Sequence, residues 1–430
     1  MVKFPKVFWF ANFIELLERA AYYAIASFVV IYLHEVLKMD PVKATFLNGT
    51  ILWGLLYFLP PLSGTIADKY GFKNSLIFCF VFLFLGYFFL GNIQKLWHLS
   101  ADFTIPVLIS ILLIGIGGSF VKPCISGTVQ KTAFSNPVVG FGIFYMTINV
   151  GSMLGRIISY NFRIKYGIPA IFSVVATSFA FLAFLSSIFL YKEPESENKE
   201  KPKTLKEAIL NLFLVLKDLK FLFFLLFIGF FWAIYVQIYN LIPLFLRFID
   251  KNAPVELYTL VNPVMIVAFQ LIITKISKNL NAIISIIFGI IITILGISLN
   301  LIPPIFNLSI EKKTSIFSIP IGGFFILISI ASMACGEMLT SPRVYQYIGS
   351  ISPKGKEGLY LGYANLPLAL GTIVGAPLGG YLFKIFMENP SKNNLPPKIF
   401  LLWLIVSFLG ILSLFGIIFY NFYLNKTKKL

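Results

Sequence analysis

The stretch KEPESENKEKPKTLKEAI, from Lys192 to Ile209, is the only long hydrophilic segment of this 430-residue chain. Over the whole chain 58% of residues are hydrophobic and only 12% are charged, and the mean hydropathy is +0.86. A soluble core has no place for so much apolar material, whereas a bilayer accepts runs of about 20 apolar residues each. The composition therefore predicts a polytopic membrane protein, in which this stretch is a solvated linker ending in a short amphipathic helix.

Apolar windows long enough to span a bilayer occur in equal number on both sides of this linker. Six precede it, near residues 7–36, 44–66, 73–91, 104–130, 139–161 and 169–191. Six follow it, near residues 218–247, 254–275, 281–302, 317–349, 357–385 and 398–424. The pattern predicts an all-α membrane protein with an N-terminal six-helix bundle (1–191), a cytoplasmic linker (192–217) and a C-terminal six-helix bundle (218–430). Prolines inside the windows are predicted kink sites: Pro123, Pro342, Pro367 and Pro377.

The formal net charge of +17 comes from lysines that lie mainly in the connections between apolar windows. A cluster in the linker comprises Lys199, Lys201, Lys203 and Lys206. This placement is typical of positive-inside signals rather than of a nucleic-acid surface, so we expect no nucleic-acid partner. It predicts a multi-pass protein of the cell membrane with both termini in the cytoplasm. The opposite side still carries Arg163, Lys165, Lys312 and Lys313, so the asymmetry is moderate.

Neither the cysteines nor the N-terminus indicates a special site. Cys79, Cys124 and Cys335 lie in apolar runs without metal-ligand spacing, so we expect buried thiols and no metal. The first apolar window carries charges and lacks a small-residue cleavage site, so it is interpreted as a retained helix rather than a signal peptide.

The first window contains a stripe of charged and aromatic residues. Glu15, Glu18, Arg19, Tyr22 and Tyr23 follow the i, i+3, i+4, i+7, i+8 spacing of one helix face. An ionised side chain at mid-membrane costs about 2.5 to 3.5 kcal/mol on insertion scales. We therefore expect the stripe to face a wet cavity, with Glu15 paired to Arg19. A purely structural ion cluster that ties helices together is the alternative.

The connection after the second window reads GTIADKYGFK and contains Gly64, Asp68, Lys69, Gly71 and Lys73. It resembles the signature loop of the major facilitator superfamily, Gly-x-x-x-Asp-Arg/Lys-x-Gly-x-Arg/Lys. The acid and the bases could pair with neighbouring helix ends and hold one gate conformation, and the glycines allow a tight turn. The resemblance implies the major facilitator fold. An ordinary charged turn is the alternative.

The stripe itself, Glu-x-x-Glu-Arg followed by Tyr-Tyr, resembles the first-helix signature of the proton-dependent oligopeptide transporter family. Further fragments agree in order and position: GSFVKPCIS with Lys122, FGIFYMTINVGS with Tyr145 and Asn149, Asn262-Pro263, GEMLTSP with Glu337, and GLYLGYANLPLALG with Tyr363. Smaller departures are Ala20, Ala24 and Ser119, where the family has phenylalanine and two glycines.

Two further departures concern the outer gate. The family commonly has a second arginine on helix one and a glutamate on helix seven, where this chain has Ala26 and Val236. Loss of only one partner would leave an uncompensated buried charge, so joint replacement by small apolar residues is physically coherent. What closes the outer gate stays open at this point.

The resemblance implies a symporter that uses a proton gradient, and no other cofactor, to import di- and tripeptides by alternating access. Arg19 and Lys122 would hold the substrate carboxylate, and Glu337 would hold its amino group. Asn149 and Asn262 would bond the peptide backbone. The tyrosines lining the substrate site would be Tyr22, Tyr23, Tyr57, Tyr145 and Tyr363. Proton coupling would fall to Glu15 and Glu18 with Arg19, in a protein expected to be a monomer in the bilayer.

Several alternatives remain at this point. The same fold could carry nitrate, another small anion or an amphipathic compound moved outward. Lys122 could simply snorkel, Glu337 could be structural, and the tyrosines could be packing. We expect no enzyme, because the chain has no His-Glu-x-x-His or paired-aspartate motif and only two histidines, His34 and His98. A receptor or scaffold that moves no solute is the third class.

Overall fold

A computed structural model of the chain is almost entirely helical in the part that it describes. This part comprises residues 4–97, 102–133, 136–194, 206–207, 210, 217–314, 318–352, 360–361 and 363–424. Most of the predicted amphipathic linker helix lies outside these residues, as do Lys199, Lys201, Lys203 and His98.

The first two spans are bent pairs of helices. The first, α1, consists of Lys6–Ala26 and Val29–Val36 at 42°, and the second, α2, consists of Pro41–Phe58 and Pro60–Tyr70 at 44°. Ten further helices in the described residues are long and apolar enough to cross a membrane. In chain order α3 to α12 are Phe72–Gly91, Thr104–Thr132, Val139–Tyr166, Ile168–Phe189, Leu219–Ile249, Val255–Ser277, Ala282–Ile305, Ile321–Ile351, Leu366–Lys392 and Ile399–Phe422. Counting each bent pair as one span gives twelve, which confirms the predicted number.

The two breaks do not lie at the prolines singled out as kink sites. The helix α4 continues past Pro123 and α10 continues past Pro342. Pro367 lies in the first turn of α11, where the missing N–H has no helical partner to lose. The bend in α1 follows Ala26, which no proline marks, whereas the bend in α2 lies at Leu59, directly before Pro60.

Contacts between Cα atoms divide the chain into two compact units. Unit 1 comprises Met1–Tyr32 and Ile51–Leu212, and unit 2 comprises Leu33–Thr50 and Phe213–Leu430. We call Leu33–Thr50 the strap, because it leaves the first set of helices and packs with the second. In each unit, large apolar side chains such as Phe189 and Leu271 are exposed, as expected for helices that face lipid.

In unit 1, small residues allow α1 and α5 to approach closely. A Cβ atom on Gly151 would lie 2.7 Å from the carbonyl oxygen of Leu16, and one on Gly155 would lie 3.0 Å from the backbone nitrogen of Ala24. Ala20 and Ala24 are buried in this contact. These alanines, which stand where the family has phenylalanine and glycine, thus lie on the turns of α1 whose backbone α5 touches.

In unit 2, a glycine pair brings α9 and α10 together. A Cβ atom on either Gly289 or Gly336 would lie 2.6 Å from the carbonyl oxygen of the other. Gly336 directly precedes Glu337, so this close contact fixes the part of α10 that carries this half-buried carboxylate.

Replacement of Gly155 by alanine is expected to lower the unfolding temperature of the detergent-solubilised protein. The added methyl group would meet backbone atoms of α1, which cannot move aside as a flexible side chain can. Overpacking of this kind costs about 1–3 kcal/mol. Thermal unfolding followed by tryptophan fluorescence measures the effect.

The matched control is Gly142→Ala in the same helix, where the described residues place no atom within 4 Å of the new Cβ. This variant should unfold at or slightly above the parent temperature. Equal unfolding temperatures for the two variants would contradict the close packing of α1 and α5.

Candidate functional site

The charged stripe of α1 forms a buried ion cluster in unit 1. The Nε of Arg19 lies 3.5 Å from Oε1 of Glu15, which confirms the predicted pair, and it also bonds Glu18, which is closer still. Both glutamates are 1% exposed, and the side chain of Arg19 is 16% exposed. One guanidinium therefore compensates two carboxylates, and part of it remains accessible.

Lys122 on α4 belongs to the same electrostatic group. Its side chain is exposed, yet it interacts electrostatically with both Arg19 and Glu15. Two cations and two carboxylates, those of Glu15 and Glu18, thus make up a group with no net charge.

Aromatic rings extend from this cluster along α1 and α2. The Arg19 guanidinium lies 5.3 Å from the ring centroid of Tyr22. Tyr22 lies 6.3 Å from Trp53, and Trp53 lies 5.8 Å from Tyr57, measured between ring centroids. The structure therefore places two of the predicted site tyrosines, Tyr22 and Tyr57, in one row of aromatic rings, in which Trp53 lies between them.

A further guanidinium, that of Arg156, is fully buried and was not among the predicted site residues. Arg156 on α5 is 0% exposed, and its guanidinium carbon lies 4.6 Å from the ring centroid of Tyr23. Its Nη1 donates to the carbonyl oxygen of Ser152 at 3.2 Å. The signal was present in the sequence, because an arginine inside an apolar window is costly and rarely faces lipid.

Asn149 and Tyr145 lie one turn apart on α5 but differ in exposure. Asn149 is 6% exposed and donates through Nδ2 to the carbonyl oxygen of Tyr145 at 2.9 Å, whereas the Tyr145 side chain is 44% exposed. One N–H of the Asn149 amide is therefore engaged with its own helix, and its second N–H and its Oδ1 are the groups that could bond a ligand.

In unit 2, Glu337 lies in a small polar group. Asn262 on α8 donates through Nδ2 to Oε2 of Glu337 at 3.3 Å, and the hydroxyl of Tyr235 on α7 is also hydrogen-bonded to the carboxylate. The predicted pair of Glu337 and Asn262 is thus brought together, and Tyr235 is an addition. Tyr363 does not lie within a helix: it forms a turn before α11.

The loop between α2 and α3 is a tight turn that a carboxylate caps. Gly71 has φ of +88°, a conformation that favours glycine, and ends α2. The carboxylate of Glu193, which follows α6, accepts hydrogen bonds at 2.8 Å from the backbone N–H groups of both Phe72 and Lys73. Gly64 packs against Pro123: a Cβ atom on Gly64 would lie 3.4 Å from the Cβ of Pro123. Glu193 was not predicted, because its position 120 residues further along the chain gave no local signal.

The strap and the end of unit 2 on which it packs form an open cavity of about 880 Å³. Charged side chains line it: Glu35, Lys38, Asp40, Arg247, Lys251, Lys384, Glu388 and Lys392. Within the described residues, no three His, Cys, Asp or Glu side chains are grouped so that they could hold a metal ion.

Comparison with known proteins places these features in a family context. A sequence model described as Major Facilitator Superfamily matches residues 8–340. Peptide transporter family 1 of Caenorhabditis elegans is 33% identical over 208 residues, which cover 43% of this chain and 24% of that protein. Dipeptide and tripeptide permease B of Aliivibrio fischeri is 27% identical over 211 residues, which cover 47% of this chain and 41% of that protein. The chain thus matches less than half the length of these relatives, which confirm the resemblance found in the motifs.

Solved structures share the fold over nearly the whole chain. A POT family transporter in complex with 5-aminolevulinic acid has a TM-score of 0.72 at 17% identity, and the match covers 97% of this chain and 96% of that one. The nucleoside transporter NupG has a TM-score of 0.78 at 13% identity, and the match covers 96% and 99%. At these identities the likeness concerns the fold alone.

Replacement of Glu193 by alanine is expected to destabilise the start of α3, because two backbone N–H groups lose their acceptor. Loss of a helix cap costs about 1 kcal/mol. Hydrogen–deuterium exchange of peptides covering residues 70–80 should become faster. Lys192→Ala, a change at the exposed neighbour, is the control and should leave exchange unaltered; equal exchange in the two variants would contradict the cap.

Proposed function

Because the chain belongs to the Major Facilitator Superfamily, we propose that it is a proton-coupled symporter that imports di- and tripeptides by alternating access. The relatives named as peptide transporters and as dipeptide and tripeptide permeases support this substrate class. The observation that carries the proposal is the electrically balanced group of Glu15, Glu18, Arg19 and Lys122, in which the two carboxylates are buried and the two cations keep some exposure.

Charge balance in this group supplies a reason for coupling. When a peptide carboxylate binds Arg19 and Lys122, the group gains one uncompensated negative charge in a poorly solvated place. Uptake of a proton by Glu15 or Glu18 restores neutrality and frees Arg19 for the substrate. Carboxylate and proton therefore bind together more favourably than either binds alone, which is the thermodynamic requirement for symport.

The remaining predicted residues supply the other contacts of a short peptide. Glu337, held by Asn262 and Tyr235, would accept the amino group of the peptide. Asn149 and Asn262 would bond its backbone. The aromatic residues Tyr22, Tyr23, Tyr57, Tyr145 and Tyr363 would accept varied side chains, because ring faces tolerate many shapes.

The proposal includes the setting of the protein. Both termini and the loop of Asp68, Lys69 and Lys73 would lie in the cytoplasm, so the strap would face the outside of the cell membrane. The bundles 1–191 and 218–430, joined by the linker 192–217, would move against each other as a monomer. The proton gradient drives the cycle, with no metal or organic cofactor and no catalytic step.

Uptake of labelled dialanine into proteoliposomes is expected to accelerate when an inward proton gradient is imposed. Glu18→Gln should abolish most of this acceleration, by at least about tenfold, because the neutral amide keeps a polar contact with Arg19 but cannot take up a proton. Initial rates with and without the gradient give the measurement.

Glu311→Gln, which neutralises an exposed acid of unit 2, is the matched control and should behave like the parent. Uptake by the parent that ignores the gradient would refute proton coupling. Full acceleration in Glu18→Gln would remove that residue from the coupling mechanism.

For Glu337→Gln we expect weaker competition by peptides with a free amino end, by about tenfold in the inhibitory concentration, because a charge-assisted bond to the ammonium is lost. Peptides with an acetylated amino end make no such bond and should compete equally against the parent and the variant. Competition against labelled substrate measures both. Unchanged competition by free peptides, together with retained anion transport, would favour a carrier of nitrate or another small anion.

A further inference from the structure

The strap, Leu33–Thr50, packs with unit 2 although the chain on both sides of it packs with unit 1. It contains the last residues of α1 and the first residues of α2. The contacts that hold the strap on unit 2 therefore also hold the end of α1 and the start of α2. The contacts responsible form two layers.

The first layer consists of ion pairs at the edge of the 880 Å³ cavity. Arg247 on α7 donates to Glu35 through Nη2 at 2.6 Å and through Nε at 3.0 Å, a two-pronged contact. The Arg247 and Glu35 side chains are 15% and 30% exposed, so water reaches the pair. Lys384 on α11 forms a second ion pair with Asp40 of the strap. Such pairs are strong enough to orient the strap and weak enough to part.

The second layer is buried and uncharged. Asn48 of the strap donates through Nδ2 to Oδ1 of Asn240 at 3.1 Å and to the carbonyl oxygen of Tyr239 at 3.3 Å. Asn240 in turn donates at 2.8 Å to the carbonyl oxygen of Val236, the residue that stands where glutamate was expected. Thr50 donates to the carbonyl oxygen of Ile373 on α11 at 3.0 Å. Amide and hydroxyl groups thus join the strap to α7 and α11 without a buried charge.

Irregular helix forms both ends of the strap. The 42° break in α1 lies between Ala26 and Val29, and wider π-helical turns follow at Tyr32–Val36 and Phe46–Trp53. Such turns replace the regular i→i−4 hydrogen bonds of the backbone and frequently occur at functional sites. The strap can therefore pivot at both ends without unfolding the regular parts of α1 and α2.

We propose that the strap is the outer gate of this protein and that the Glu35–Arg247 and Asp40–Lys384 pairs are its latch. Opening parts the latch, breaks the Asn48 contacts and turns the strap at the two irregular segments. The latch takes the place of the buried pair that Ala26 and Val236 cannot form. The inference relies on the proposed function only in that release of the strap opens a path for the substrate. Its test measures release of the strap and needs no substrate.

The test uses a cysteine as reporter of strap release. Thr45 is 0% exposed in the strap and faces Gly380 on α11. In a background with Cys79, Cys124 and Cys335 changed to serine, Thr45→Cys is labelled with a maleimide in detergent, where both faces of the protein are reachable. Glu35→Gln should increase the labelling rate by about tenfold, because the open fraction rises when the latch is weakened.

Two further variants make the result decisive. The exchange of charges in Glu35→Arg with Arg247→Glu should return labelling close to the parent rate. Lys251→Gln neutralises a lysine of the same cavity whose side chain has no ion pair or hydrogen bond to any described residue, and it should leave labelling unchanged.

Each alternative outcome is informative. Labelling of Glu35→Gln at the parent rate would overturn the latch, and so would a charge exchange that fails to restore slow labelling. Faster labelling in Lys251→Gln would show that cavity charge in general, rather than the pair, holds the strap. A protein that labels as expected but takes up no dialanine would refute the proposed function and leave the gate standing.

Discussion

The sharing of Arg19 between Glu15 and Glu18 is the constraint on which the arrangement of unit 1 depends. Three ionised groups on one membrane helix are tolerated only if they compensate each other and keep some access to water. α1 must therefore be enclosed by other helices on the side of the cluster. Lys122 on α4 completes the balance, so α1 and α4 are linked by charge as well as by packing.

Small residues make this enclosure possible next to the charged groups. In unit 1, Gly151 and Gly155 allow α5 to touch the backbone of α1 beside Arg19. In unit 2, Gly289 and Gly336 do the same for α9 and α10 beside Glu337. Both units thus use one device: close helix contact at glycine, which fixes the backbone that carries an ionisable side chain. A carboxylate held in this way loses little conformational freedom when it binds a ligand.

The features predicted from sequence are those with a local signal. Hydropathy places eleven of the twelve spans close to the observed helices, whereas the window 357–385 begins and ends several residues before α11, Leu366–Lys392. The i, i+4 spacing predicts the Glu15–Arg19 pair. The pairing of Glu193 with the start of α3 and that of Glu35 with Arg247 join residues far apart in the chain, so no periodicity reveals them. The break in α1 between Ala26 and Val29 was not predicted either, because no proline marks it. Arg156 could have been found, because its charge interrupts an apolar window.

The ion pairs of the strap differ in their surroundings from the charged cluster around Arg19, because water reaches the pairs and the glutamates of the cluster are buried. Partial burial alone would raise the pKa of Asp40, but the hydrogen bonds from Lys384 and from the backbone N–H of Val42 outweigh it and hold that pKa below its usual value. Because the pKa of Asp40 is lowered, ionised Asp40 stabilises the bonded strap at every pH above the usual aspartate pKa of about 3.9. This stabilisation is lost as the pH falls from that value through the lowered pKa of Asp40. Within the pH range of a transport cycle, Asp40 therefore stays ionised and its pair is not broken by protons. In the proposed cycle, proton coupling is therefore assigned to the cluster around Arg19 and not to the Asp40–Lys384 pair.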